Sequence, residues 1–140
     1  MAFNAIKGAL STLAVNSRLR SLWSNSLSLT VTGADLASAG TGTITIQAVD
    51  ANDVATTDRV LVRTWIGTAD DYGADALTDY SVTTGTQKEE VTANAEYIAV
   101  TDATGKIVMA IDAGGADSVW AWAEVNGTVI ASGEVVLTAP

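Results

Sequence analysis

The dipeptide Asn126-Gly127, set between two runs of β-prone residues, constrains this chain more than any other feature. A two-residue hairpin loop of type I′ needs positive φ at both central positions, and Asn followed by Gly supplies them. The turn predicts an antiparallel hairpin with Val125 opposite Thr128, Trp122 opposite Ala131 and Trp120 opposite Gly133. Because side chains alternate across a strand, one face carries Trp120 and Trp122 over Val129, Ala131 and Gly133. Large residues over small ones is the way a sandwich interior fills, so this face is expected in the core. The other face presents Val119, Ala121, Ala123, Val125 and Ile130, with Ser132 and Glu134. It is apolar enough to need a cover, either the chain's own N-terminal segment or a second copy of the chain.

The same period of two begins at Ser26, where Leu27, Leu29 and Val31 alternate with Ser26, Ser28, Thr30 and Thr32. Residues 43–49 alternate again, and Asp50, Asn52 and Asp53 mark a turn, since their short side chains bond to nearby backbone. The run from Arg59 to Ile66 is apolar on both faces and predicts a central strand. Residues 67–85 form a long polar excursion holding Asp70, Asp71, Asp75 and Asp79. Strand-like runs follow at 90–92, 97–101 and 107–112, the last two joined by a turn over 102–105. About seven short strands with turn signals between them predict an antiparallel β-sandwich. Trp65, on the central strand, resembles the core tryptophan of immunoglobulin domains.

Residues 1–24 stand outside this pattern and are read as an N-terminal arm, helical or extended, with the sandwich domain over 25–140. Phe3, Ile6, Leu10 and Leu13 recur at spacings of three and four, one face of a helix. Asn16 and Ser17 interrupt it before Arg18, Arg20, Leu22 and Trp23. Charge divides at the same place. Lys7, Arg18 and Arg20 are the charged residues before Asp35, whereas all 16 acids lie from Asp35 onward with four cations. This predicts an arm that docks on a neighbouring subunit; the alternative is an arm folded back on its own domain. The apolar stretch 2–15, interrupted by Asn4 and Lys7, is too short to span a membrane. Although it resembles a signal peptide, the chain opens on Met1 with this stretch in place, and it is expected to belong to the working protein.

The residue inventory argues against catalysis. There is no His and no Cys, so acid–base work would fall on strongly perturbed Asp, Glu, Lys or Tyr, and thiolate sites are excluded. Glu89 and Glu90 point to opposite faces of a strand, and neither a nucleophile–base pair nor a glycine-rich phosphate loop is present. The acidic excursion is read as a solvated turn rather than a calcium loop, whose ligand spacing it lacks. Trp120 and Trp122 are read as core rather than as a sugar-stacking platform. Asn126-Gly127-Thr128 matches a glycosylation sequon, but its Asn is already needed by the turn. An acidic body repels phosphate backbones. The expectation is a non-enzyme without cofactor or metal, binding neither nucleic acid nor membrane.

The order of these motifs resembles bacterial and phage immunoglobulin-like modules of the invasin type. The matching stretches are 27–32, 43–54, Val100-Thr101-Asp102-Ala103-Thr104-Gly105-Lys106-Ile107-Val108, and 119–132 with Ala123-Glu124-Val125-Asn126-Gly127 at its centre. A narrower resemblance is to phage head-decoration and fibre-associated proteins. It is carried by Leu61-Val62-Arg63-Thr64-Trp65-Ile66, the acidic loop, Ser81-Val82-Thr83-Thr84-Gly85 and the closing hairpin. The resemblance implies a virion structural protein on the capsid exterior, assembled in the host cytoplasm. Its partner would be the major capsid protein, bound through Phe3, Ile6, Lys7, Leu10, Leu13, Arg18, Arg20, Leu22 and Trp23. Copies would associate, as a trimer, through Val119, Ala121, Ala123 and Ile130. The alternatives are a tail or fibre module that binds a receptor or glycan through Tyr72 and Tyr80, and a secreted adhesin domain.

Overall fold

A computed structural model of the chain describes residues 26–32 and 40–138. The strands are β1 (Ser26–Thr32), β2 (Thr41–Val49), β3 (Leu61–Gly67), β4 (Asp79–Thr84), β5 (Thr86–Thr92), β6 (Glu96–Val100), β7 (Lys106–Asp112), β8 (Asp117–Val125) and β9 (Thr128–Leu137). They form two antiparallel sheets of order β1-β2-β7-β4 and β5-β6-β3-β8-β9. The protein is all-β, as its alternation predicts, and no helix occurs among the described residues.

The two sheets share one apolar core. The four-stranded sheet contributes Ile44, Ile46, Ile107, Met109, Ile111 and Tyr80; the five-stranded sheet contributes Val62, Ile66, Ala99, Val119, Ala121, Ala123, Val125 and Leu137. Bulky β-branched side chains on one sheet meet alanines on the other, so the layers close without clash. Each large aliphatic removed from water contributes about 1.5–3 kcal/mol.

This reverses the expected orientation of the closing hairpin. Val119, Ala121 and Ala123 are fully buried within the core, while Trp122 points to the outer side of the five-stranded sheet. Trp65 is likewise on the outer side, opposite Trp122 in register. It is therefore not a tryptophan between the sheets; Thr64 and Tyr80 occupy that interior instead, with their hydroxyls 2.5 Å apart. With both faces of β8 apolar, alternation fixes that they differ but not which one turns inward.

The hairpin register follows the turn for its first part, with Val125 opposite Thr128 and Trp122 opposite Ala131. Asn126 and Gly127 have φ of 50° and 80°, the left-handed pair that a type I′ turn requires. A bulge then shifts the pairing, so that Trp120 lies opposite Glu134 rather than Gly133. Gly133 takes φ of 74°, and the Ser132 hydroxyl accepts the Ala121 N–H at 3.0 Å.

β4 lies inside the stretch read as a polar excursion. Tyr80 is its inward anchor, buried completely among residues of both sheets. The chain passes from β4 in one sheet to β5 in the other through Gly85 alone. Its φ of 98° is closed to most side chains, and a Cβ there would stand 2.8 Å from the Val100 carbonyl oxygen. β5 is an edge strand exposed along its whole length, with Lys88, Glu89 and Glu90 and two register shifts against β6. Charge and irregularity of this kind protect a sheet edge from pairing with other chains.

At the end of the molecule where β2 finishes and β7 begins, hydrogen bonds tie the β2–β3 connection to the β6–β7 connection. Thr101 donates its hydroxyl to the Asp58 carbonyl (2.7 Å) and accepts the Val60 N–H (2.8 Å). Asp102 accepts the N–H groups of Thr104 and Lys106 and the Thr104 hydroxyl. Gly105, at φ of 76°, approaches Thr56 so closely that no side chain fits. The Thr-Asp-x-x-Gly pattern is thus a structural clasp. Gln47 completes it, its amide nitrogen reaching the carbonyls of Ala48, Thr56, Thr104 and Gly105 at 2.9–3.3 Å.

Candidate interaction surface

The outer side of the five-stranded sheet concentrates the aromatic and charged groups whose chemistry suits recognition. β3 presents Arg63 and Trp65 outward, β8 presents Trp122 and Glu124, and β6 presents Glu96 and Ile98, all brought side by side by the register. The Trp65 and Trp122 rings stack with centroids 6.1 Å apart. Arg63 lies over Trp65, its guanidinium carbon 5.0 Å from the ring centroid. The same guanidinium donates to Glu96 and forms a second ion pair with Glu124 at 3.5 Å. Glu96 is buried, and its carboxylate meets the exposed Arg63 guanidinium. The hydrogen bond to Glu96, chief among the causes, raises the already high pKa of Arg63.

The connection 68–78 folds over the Trp65–Trp122 pair. Tyr72 tilts its ring onto Trp122 at 5.7 Å, and its carbonyl accepts the Trp65 indole N–H at 3.1 Å. Tyr72 reaches this position at φ of 60°, unusual for an aromatic residue. The connection is held by Asp75, which accepts the N–H and hydroxyl of Thr68, and by N–H donation from Asp75 to Ile66 and from Leu77 to Asn94. Those bonds from Thr68 hold the Asp75 carboxyl below the usual aspartate range. Close packing also requires Gly67, where a Cβ would lie 2.5 Å from the Gly73 carbonyl oxygen and 3.1 Å from the Trp122 ring. Trp122 is consequently buried completely, whereas Tyr72 stays 64% exposed; Leu61 and Val129, on β3 and β9, are also exposed.

The residues singled out by sequence distribute unevenly over this structure. Phe3, Ile6, Lys7, Leu10, Leu13, Arg18, Arg20, Leu22 and Trp23 lie outside the described residues. Val119, Ala121 and Ala123, expected on an association face, are in the core, and Ile130 is half-buried against it. Trp122 is no open sugar platform, and Trp120 is half-buried. Tyr80, expected on a loop, is interior; burial pushes its phenol far above the usual range. Asp71 caps the Gly73 N–H and Asp50 caps Asn52 and Val54, turn-forming roles in each case. Among the described residues no three acids converge in a way that fits a metal ion.

Sequence reasoning missed this surface because its parts come from β3, β6, β8 and a polar loop, and only the register unites them. One signal was available. Arg63, Trp65, Trp122 and Glu124 share a period of two on two strands, which places each pair on one face. Comparison with protein-family models, with curated proteins and with solved structures found no match.

Proposed function

We propose that this chain is a structural protein of a bacteriophage particle that decorates and stabilises the outer capsid surface, with residues 1–24 as its attachment segment. One observation carries the reading, the partition of charge: three cations and no acid precede Asp35, and all 16 acids follow. A cationic, apolar leader seeks carboxylates and apolar surface on another protein. Ser26 opens β1, an edge strand, so the leader joins the body at the rim of a sheet. A few hundred Å² of apolar burial per copy, at about 25 cal/mol per Å², amounts to several kcal/mol before ordering costs. Repeated over many copies, this reinforces a shell.

We read the sandwich as immunoglobulin-like. The pairs β2–β7 and β3–β8 stand where the B–E and C–F pairs of such domains stand, with β1 and β9 at the A and G edges. The order departs from that pattern between β3 and β7, where the chain visits the D position first and the two strands beyond C afterwards. Self-association is also part of the proposal. With Val119, Ala121 and Ala123 in the core, it is assigned to Leu61, Arg63, Tyr72 and Val129 on the outer side of the five-stranded sheet; arginine and aromatic residues are enriched in such interfaces.

The test uses undecorated shells of the major capsid protein that the proposal gives this chain as partner. Full-length protein is expected to co-sediment with them, and both removal of residues 1–24 and the full-length triple variant Lys7→Glu, Arg18→Glu, Arg20→Glu are expected to abolish it. Unchanged affinity in both variants would refute the proposal. The second reading, a glycan-binding tail or fibre module, rests on exposed Tyr72 alone, Tyr80 being interior. Array binding that Tyr72→Ala removes would favour it.

A further inference from the structure

We propose that the β8–β9 hairpin tip is a site of spontaneous covalent modification, at which Asn126 cyclises onto the Gly127 nitrogen and hydrolyses to aspartate and isoaspartate. Three asparagines lie among the described residues, and the structure separates them. After Asn52 the next N–H, that of Asp53, is donated to the Asp50 carbonyl at 3.0 Å. After Asn94 the next N–H, that of Ala95, is donated to the Thr92 carbonyl at 3.1 Å, and Ala95 is fully buried. Each of these nitrogens is held away from the preceding carboxamide by a hydrogen bond. At the hairpin tip neither the Asn126 side chain nor the Gly127 N–H has a hydrogen bond among the described residues, and Asn126 is exposed. Gly127 brings no side chain to shield its nitrogen, and among the described residues no atom other than those of Gly127 and its chain neighbours lies within 4 Å of where a Cβ would be.

The chemistry balances with water as the single co-reactant. The Gly127 nitrogen, having lost its proton to hydroxide, attacks Asn126 Cγ; the new N–Cγ bond closes a five-membered imide as the Cγ–Nδ2 bond breaks and ammonia leaves. Water then opens either imide carbonyl. Opening at Cγ restores the main chain with aspartate, and opening at the backbone carbonyl reroutes it through Cβ and Cγ as isoaspartate. Either product adds a negative charge. Aspartate tolerates the left-handed conformation, so the turn survives in that product. Isoaspartate inserts an extra main-chain atom into a two-residue loop whose geometry sets Val125 opposite Thr128.

The full-length protein is incubated in mildly alkaline buffer at physiological temperature, digested and peptide-mapped by mass spectrometry. The peptide containing Asn126 is expected to gain the mass of amide-to-acid conversion and to split into two isomers, one of them a substrate for isoaspartyl methyltransferase. Peptides containing Asn52 and Asn94 are expected to keep their mass, and Asn126→Asp to abolish the gain. An unchanged Asn126 peptide would overturn the inference, as would equal conversion at Asn52 or Asn94. So would a glycan mass at Asn126 that Thr128→Ala removes, because the carboxamide would then be a glycosylation acceptor.

Discussion

Replacing Gln47 tests how far one side chain secures the end of the sandwich. Its amide nitrogen faces four carbonyl oxygens, those of Ala48, Thr56, Thr104 and Gly105. Four acceptors around one position determine which end of the carboxamide points inward. Two of the carbonyls keep another partner without it, because Ala48 also accepts the Thr56 N–H and Gly105 also accepts the Ala48 N–H. Among the described residues the carbonyls of Thr56 and Thr104 have no second hydrogen bond of this kind. Gln47→Leu therefore removes two donated hydrogens and leaves two partly buried acceptors unsatisfied, a loss of about 2–4 kcal/mol at roughly 1–2 for each. Gln47→Glu is expected to cost more at neutral pH, since a carboxylate would face four acceptors. Burial and these carbonyls would raise the folded-state pKa of that glutamate above its unfolded value. The added penalty is then absent below the unfolded pKa, grows as pH rises, and is complete above the folded one. Urea unfolding followed by tryptophan fluorescence measures both variants across pH. A loss below about 1 kcal/mol for Gln47→Leu, or no pH-dependent difference between the variants, would refute the reasoning.

Three further predictions follow from other parts of the structure. Thr64→Val strands the buried Tyr80 hydroxyl and is expected to cost about 1–3 kcal/mol, more than Tyr80→Phe, which leaves Thr64 bonded to the Trp122 carbonyl; the double variant should cost less than the sum in denaturant titrations. Gly67→Ala drives a methyl group against Gly73 and Trp122, and is expected to destabilise by about 1–3 kcal/mol and to shift tryptophan emission to the red as the covering loop lifts. Asp102 is held below its ordinary value of 3.8, chiefly by the Lys106 N–H, as Asp75 is by Thr68. Because folding lowers these pKa values, their stabilisation is present above the unfolded value and is lost as pH falls through the folded one; NMR titration should place both midpoints below 3.8.

The strands of this protein were legible where apolar and polar residues alternate cleanly or a turn imposes its geometry. Asn126-Gly127 determined the first pairs of the hairpin because two positive φ values leave one loop conformation. It carried no information about the bulge at Ser132 and Gly133, which depends on a hydroxyl meeting the Ala121 N–H across the strands. The inward face of β8 was misread for an energetic reason. Large tryptophans over small hairpin residues were read as the core face, but the alanines and valines of the other face meet Ile44, Ile46, Ile107 and Met109 of the opposing sheet, and the tryptophans find their own cover in residues 68–78. β4 was hidden because Asp79, Ser81, Thr83 and Thr84 surround its two apolar residues, while Tyr80 spends its hydroxyl on Thr64 and so enters the interior without an unpaired polar atom. The outer aromatic surface is assembled by register across three strands, an arrangement beyond the reach of local periodicity.

The passage of the chain through Gly85 has a mechanical consequence. Most connections between layers are loops with slack, through which one layer can slide over the other before any tension develops. Here β4 and β5 are a single ribbon with one residue at the fold, and the Val100 carbonyl blocks any larger group from that corner. A load on β4 or β5 therefore passes from one sheet to the other through one residue, with no loop between them to take up slack.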